Sequence, residues 1–194
     1  MVHNKFSNGD NNDSHDRSFL NAKQLQDYTS LITDKGEMSL IRLLTNGISV
    51  RDILNLRTKD IRGNSFRVKL MKPRRMVGID KVTMWFIGDY LTEENIPKKS
   101  IEKAFLKFPK STIAYFIKDY GIRSKEIDFY VTPTTLLNTF FIIRIIENPE
   151  WTVEDYNRHL GRTDMNNTNK IINYYKEKIE ELKEKDPKLV FSEE

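Results

Sequence analysis

The 194-residue sequence contains no cysteine, so disulfide cross-links, thiolate metal sites and a cysteine nucleophile are excluded at once. Histidine is nearly as scarce. Of the three, His3 and His15 lie in a polar N-terminal stretch, and only His159 falls among residues able to build a core. Mechanisms that need two histidines are not expected, and no second metal ligand lies at a useful spacing from His159, so neither a metal nor another cofactor is expected. No run approaches the roughly 18 consecutive apolar residues needed to span a bilayer. The N-terminus is polar rather than signal-like, and the expected location is the cytoplasm, away from any membrane.

A hydrophobic content of 38% over this length supports one sizeable core. Residues 1–18, rich in Asn, Asp, Ser and Gly, have almost nothing to bury and are expected to be disordered. A single domain is expected over 19–185, with a short C-terminal tail over 186–194. The net charge is only +4, but its distribution is uneven. Between Arg57 and Arg75 stand Arg57, Lys59, Arg62, Arg67, Lys69, Lys72, Arg74 and Arg75 against the single acid Asp60. This window carries +7 and the rest of the chain −3, a concentration suited to a surface that meets phosphate.

Apolar spacing predicts a fold that is mainly α with one small antiparallel β-hairpin or short sheet. Helical patterns run through Leu25, Tyr28 and Leu31, and then over Glu37–Thr45, where Asn46 and Gly47 provide a stop. Ser49 is placed to cap a short helix with Asp52 three residues on. Ser65–Met71 and Met76–Ile79 read as strands joined at a basic tip. Further helices are expected over Asp80–Leu91, Ser100–Phe108, Ser111–Tyr120 (ended by Gly121), Thr132–Ile146, Trp151–Leu160 (ended by Gly161) and Asn167–Lys185. The run LLNTFFIIRII is apolar nearly all round, which predicts that its helix is the most buried.

Three stretches resemble, in order and separation, the landmarks of the tyrosine recombinase (phage integrase) catalytic domain. LLTNGISVRDILNLRTKDI (Leu43–Ile61) is similar to the family's helix, glycine turn, arginine and Leu-x-x-Leu-Arg helix. YVTPTTLLNTF (Tyr130–Phe140) resembles the Thr-Pro-His-x-Leu-Arg-His-Thr-Phe box, and HLGRTDMNNTNKIINYY (His159–Tyr175) resembles Leu-Gly-His followed by the nucleophile helix. The basic hairpin falls where the family carries its catalytic lysine.

The resemblance implies chemistry in which two arginines and a histidine hold the scissile phosphate. A lysine protonates the leaving oxygen, and a tyrosine attacks. At those positions this chain has Ser49 for the first arginine, Thr134 and Leu137 for the box histidine and arginine, and Arg162 for the Leu-Gly-His histidine. Loss of one oriented donor lowers a rate by about 10²- to 10³-fold, so strand transfer by the family mechanism is not expected. The residual catalytic candidates are Lys72, with Lys69 second, Arg162, and Tyr174 or Tyr175. Tyr175 shares an apolar face with Ile171, Ile172, Ile179 and Leu182, which makes it a core residue and Tyr174 the better nucleophile candidate.

Three readings follow. The first is a catalytically inactive protein that binds double-stranded DNA through Arg57, Arg62, Lys69, Lys72, Arg74 and Arg75. The second is a divergent active recombinase using Tyr174. The third is an interaction module that pairs with itself or a partner recombinase through the C-terminal Leu189, Val190 and Phe191. Arg51 reads as a surface or phosphate-contacting residue, and His159 as packed or capping.

Overall fold

Side-chain caps set the helix boundaries in the computed structural model, which describes residues 17–94, 104–106 and 108–191. Helix α1 (Ala22–Ser30) starts at Asn21, whose carboxamide accepts from the Gln24 amide at 2.9 Å while Gln24 Oε1 accepts from the Asn21 amide at 3.1 Å. Helix α2 (Lys35–Thr45) is capped by Asp34 and buries Leu40, Ile41, Leu43 and Leu44 completely. It ends at Asn46 and Gly47, where φ is +80°. A Cβ on Gly47 would also lie 2.9 Å from the Phe140 ring, so both backbone and packing demand glycine there. Helix α3 (Val50–Asn55) starts at Ser49 as the spacing predicts, with the hydroxyl accepting from the Asp52 amide at 3.2 Å.

The strands form a three-stranded antiparallel sheet in sequence order: β1 (Ile61–Arg62), β2 (Arg67–Met71) and β3 (Arg74–Gly78). Helices α4 (Lys81–Glu93), α5 (Lys110–Arg123), α6 (Pro133–Glu147), α7 (Val153–Leu160) and α8 (Met165–Lys185) follow. Thr132 caps α6 with Pro133 at its first turn, and Gly161 closes α7 at φ +68°. The larger hydrophobic cluster joins α1, α2 and α5 to the sheet and α4. A second cluster is built from Phe140, Phe141, Tyr156, Ile172, Tyr175 and Ile179 on α6, α7 and α8.

Three expectations are corrected. Helix α5 runs through Gly121 to Arg123. Gly121 serves close packing there, since a Cβ would lie 2.7 Å from Val131 Cγ2. The described part of the expected Ser100–Phe108 helix is not helical: Ala104 bridges Arg57 in an antiparallel pair, and the Phe105 amide donates to the Leu56 carbonyl at 2.8 Å. Buried Phe105 and Leu106 suit an extended segment as well as a helix, so their apolarity does not decide between the two. The most buried helix is α2, with eight of eleven residues buried, rather than α6, with six of fifteen. The reason is that Ile145 and Ile146 of α6 line an apolar groove of about 740 Å³, which Val190 and Phe191 cover in part. The expected disordered stretch 1–18 lies almost entirely outside the described residues. Among the described residues, no helix is long and apolar enough to cross a membrane, and no group of three or more carboxylates or imidazoles could hold a metal ion.

Candidate nucleic-acid interface

Strand alternation sorts the basic residues onto faces. Val68, Leu70 and Val77 point into the core and are at most 2% exposed. Their neighbours point the other way, and the pairings Arg62 with Arg67, Lys69 with Met76 and Met71 with Arg74 build an outer face. That face carries Arg62, Arg67, Lys69 and Arg74 with exposed Met71 and Met76 among them, and no carboxylate belongs to any of the three strands. Like charges opposed across strands repel each other, and an anion laid over them relieves the repulsion.

Beside this face lies a concavity of about 470 Å³ between α3 and β2. Strand β1 pairs only with Arg67 and Val68, so the edge of β2 beyond them is open and lines this hollow. Arg51, Asn55, Arg57, Lys59, Lys69 and Lys72 surround it. Its two carboxylates are buried and already engaged. Asp60 accepts from the Arg57 amide at 3.1 Å, and Asp52 accepts from the Ser49 hydroxyl at 2.9 Å and from Arg75. Both carboxylates among the described residues of this lining thus lie buried beneath a rim of basic side chains.

Arg75 behaves differently from its neighbours. Its position opposite Leu70 turns it inward, and its side chain is only 8% exposed. Its Nε donates to the His159 carbonyl at 2.9 Å, one terminal nitrogen pairs with Asp52 at 3.1 Å, and the other donates to the Pro73 carbonyl at 3.3 Å. Arg75, assigned to DNA contact from the sequence, is instead an internal tether between the sheet, α3 and the end of α7. A Cβ on Gly161 would lie 2.7 Å from Arg75 Nη1, so the αL glycine also makes room for the guanidinium.

His159 is packed, as its isolation in the sequence predicts. Its ring stacks on Phe140 at 4.9 Å and 20°, and Nε2 lies 2.7 Å from the Asn46 carbonyl. A carbonyl can only accept, so Nε2 carries the proton. Burial pushes the His159 pKa down to about 4; the Asn46 hydrogen bond opposes this, and the nearby Arg144 and Arg75 charges add to it. The imidazole is neutral at physiological pH and has no role as a cation. Asn46, which the sequence marks only as a helix stop, also joins the elements: its side-chain nitrogen donates to Asp80 at 2.7 Å and its side-chain oxygen accepts from Arg144 at 3.0 Å.

The Arg75 tether draws together the segments that carry Ser49, Lys72 and Arg162: Ser49 bonds Asp52, and Gly161, next to Arg162, packs against Arg75 and Pro73. Ser49 is committed to capping α3 and to Asp52. Thr134 is exposed, while Leu137 packs half-buried against the larger cluster. The Arg162 guanidinium lies 5.8 Å from the Phe141 ring centre, and desolvation lowers its pKa. Tyr175 is 2% exposed and stacked on Phe141, a core residue as its helical face predicts. Tyr174 is half-buried, with Arg17 over its ring at 4.8 Å and Lys178 at 5.7 Å. These partners belong to the N-terminal segment and to α8, not to the hairpin that carries the exposed Lys72.

The order of a glycine turn, a short capped helix, a small basic sheet, a buried box helix and a long final helix is now explicit in three dimensions. Its likeness to solved structures decides the architecture. The fold is that of a tyrosine recombinase catalytic domain. The XerA recombinase superposes with a TM-score of 0.72 at 18% identity, over 92% of this chain and 67% of that one. The XerH site-specific recombinase, in a post-cleavage complex with its difH substrate, gives 0.62 at 15% identity over 86% of this chain and 52% of that one. The Tn1549 transposon integrase, in complex with transposon right-end DNA, gives 0.63 at 12% identity over 86% and 66%. This chain thus spans between about half and two thirds of these proteins. No sequence family model matches it, and no curated protein is significantly similar to it in sequence.

Proposed function

We propose that this recombinase-like domain binds double-stranded DNA through the outer face of its sheet and the adjoining basic concavity, and that it does not cut and rejoin the DNA. The observation that carries the first half is the register: it places Arg62, Arg67, Lys69 and Arg74 on one acid-free face, contiguous with the Arg57–Lys72 hollow. Spacing of cations across a strand pair suits successive phosphates of a backbone, and contacts of that kind supply affinity rather than sequence reading. Arg57, Arg62, Lys69, Lys72 and Arg74 are the contacting residues in this reading.

Fluorescence anisotropy with a labelled duplex tests it. The double substitution Lys69→Glu and Arg74→Glu is expected to weaken binding by at least about tenfold, and the wild-type affinity is expected to fall steeply with added salt. Equal affinity for both proteins sinks the proposal. Reversing Arg75 would not serve as the test, because it breaks a buried ion pair and perturbs the fold itself.

Support for the second half is chemical. The positions where the family resemblance requires cations hold a capping serine, an exposed threonine and a packed leucine. Tyr174 and Arg162 sit against aromatic rings of the second cluster, and the cations over the Tyr174 ring are Arg17 and Lys178 rather than Lys72. A nicked suicide duplex is expected to leave no covalent protein–DNA adduct. An adduct lost in Tyr174→Phe would establish the divergent active enzyme instead. The C-terminal Val190 and Phe191 pack back onto the second cluster of their own chain, which supports a structural role for that segment.

A further inference from the structure

The base of the sheet carries a second feature that phosphate binding does not use. In an unbroken strand, Phe66 would share the buried face of Val68, two residues on. Instead its backbone is left-handed, at φ 48° and ψ 49°, and the ring is 40% exposed. That left-handed backbone, disfavoured for a bulky residue, carries the ring outside the core. Across a hollow of about 510 Å³ stands Trp85 of α4, 62% exposed, with Val82 at 46%. Among the described residues, Lys81 is the one charged residue of that hollow, and no carboxylate lines it.

The hollow continues the cationic face. Arg67 follows Phe66 directly, pairs across β1 with Arg62, and stands opposite Gly78, above which the surface is open. Two exposed aromatic rings flanked by Lys81, Arg67 and Arg62 combine a flat apolar platform with a track for a backbone. We infer that Phe66 and Trp85 form a stacking site for unpaired nucleobases, so that the domain engages single-stranded or locally opened stretches of the nucleic acid as well as duplex. Any base presents a π-face to such a platform, whereas bases inside a duplex are already stacked on one another and cannot reach it. This rests on the reading that the same side of the molecule binds DNA, and it assigns the aromatic residues a ligand that the basic residues alone cannot select.

The test compares a short oligothymidylate with a duplex, both by anisotropy at one salt concentration. Trp85→Ala is expected to weaken oligothymidylate binding by about tenfold, in line with the effect of removing one stacking ring. Trp85→Phe is expected to retain most of the affinity, and duplex binding is expected to change little in either variant. Because Trp85 is largely exposed, its truncation opens no core cavity, and the circular dichroism melting curve is expected to be unchanged. Unchanged oligothymidylate affinity in Trp85→Ala overturns the inference. Duplex binding without any binding of the single strand overturns it too, but leaves the proposed function standing. Failure to bind either nucleic acid removes both. Light scattering that shows a dimer of the wild type, dissociated by Trp85→Ala, would make this patch a contact between copies of the chain instead.

Discussion

Substituting Asp52 by alanine is expected to destabilise the domain by about 3–5 kcal/mol, read from the urea midpoint. The Asp52 and Arg75 side chains are each 8% exposed, so the substitution leaves a largely buried guanidinium with its counter-charge gone. Arg75 would keep its bond to the His159 carbonyl, but a neutral acceptor does not offset a buried charge. Adding Arg75→Met to Asp52→Ala is expected to recover much of the loss, because the unpaired cation is removed with its partner. A loss below about 1 kcal/mol in the single variant would show that the tether is not what fastens the sheet to α3 and α7. This fastening matters to function, because it fixes the angle at which the exposed cations of the same strands are presented.

The second large effect is on pH dependence. His159 titrates near 6.5 in the unfolded chain and at about 4 in the folded one. A folded pKa below the unfolded one means that only the unfolded state takes up a proton as pH falls between those values. The contribution of His159 is therefore complete above about pH 6.5, falls through the interval, and is fully lost by about pH 4. The expected loss from this one group is about 3 kcal/mol. Asp80 acts lower on the scale: burial raises its pKa, but hydrogen bonds from Asn46 and Thr83 outweigh this and leave it lowered. Urea denaturation at pH 7 and pH 4.5, on the wild type and on His159→Gln, isolates the histidine. The variant is expected to show a markedly flatter pH response. Parallel responses would mean that His159 is protonated within the fold or already open to solvent.

Much of the helical framework was legible because its signals are local. Ser49 and Thr132 each announce a helix start through a side chain that bonds an amide three residues on, and Gly161 announces an end through a backbone only glycine adopts readily. Tyr175 could be placed in the core from the spacing of its apolar neighbours on one helix. The errors fall where a residue's role depends on a distant partner. Gly121 looks like a stop until Val131 is packed against it, and Phe105 looks helical until Leu56 supplies a carbonyl. Strand β1 is two residues long and exists only through its pairing with β2, so no periodicity could reveal it.

The same division runs through the candidate site. From the chain alone came a cluster of eight cations, the absence of cysteine and scarcity of histidine that exclude other chemistries, and three stretches whose order resembles one catalytic domain. Composition and short-range spacing suffice for those, because they involve neighbours in the chain. Which of the cations meet solvent, that Arg75 is turned inward to Asp52 while Lys69 and Arg74 are not, and that Phe66 stands outside facing Trp85, was decided by strand register and a single left-handed residue. Register assigns alternate side chains to opposite faces, and it depends on long-range pairing that the chain establishes only when it folds.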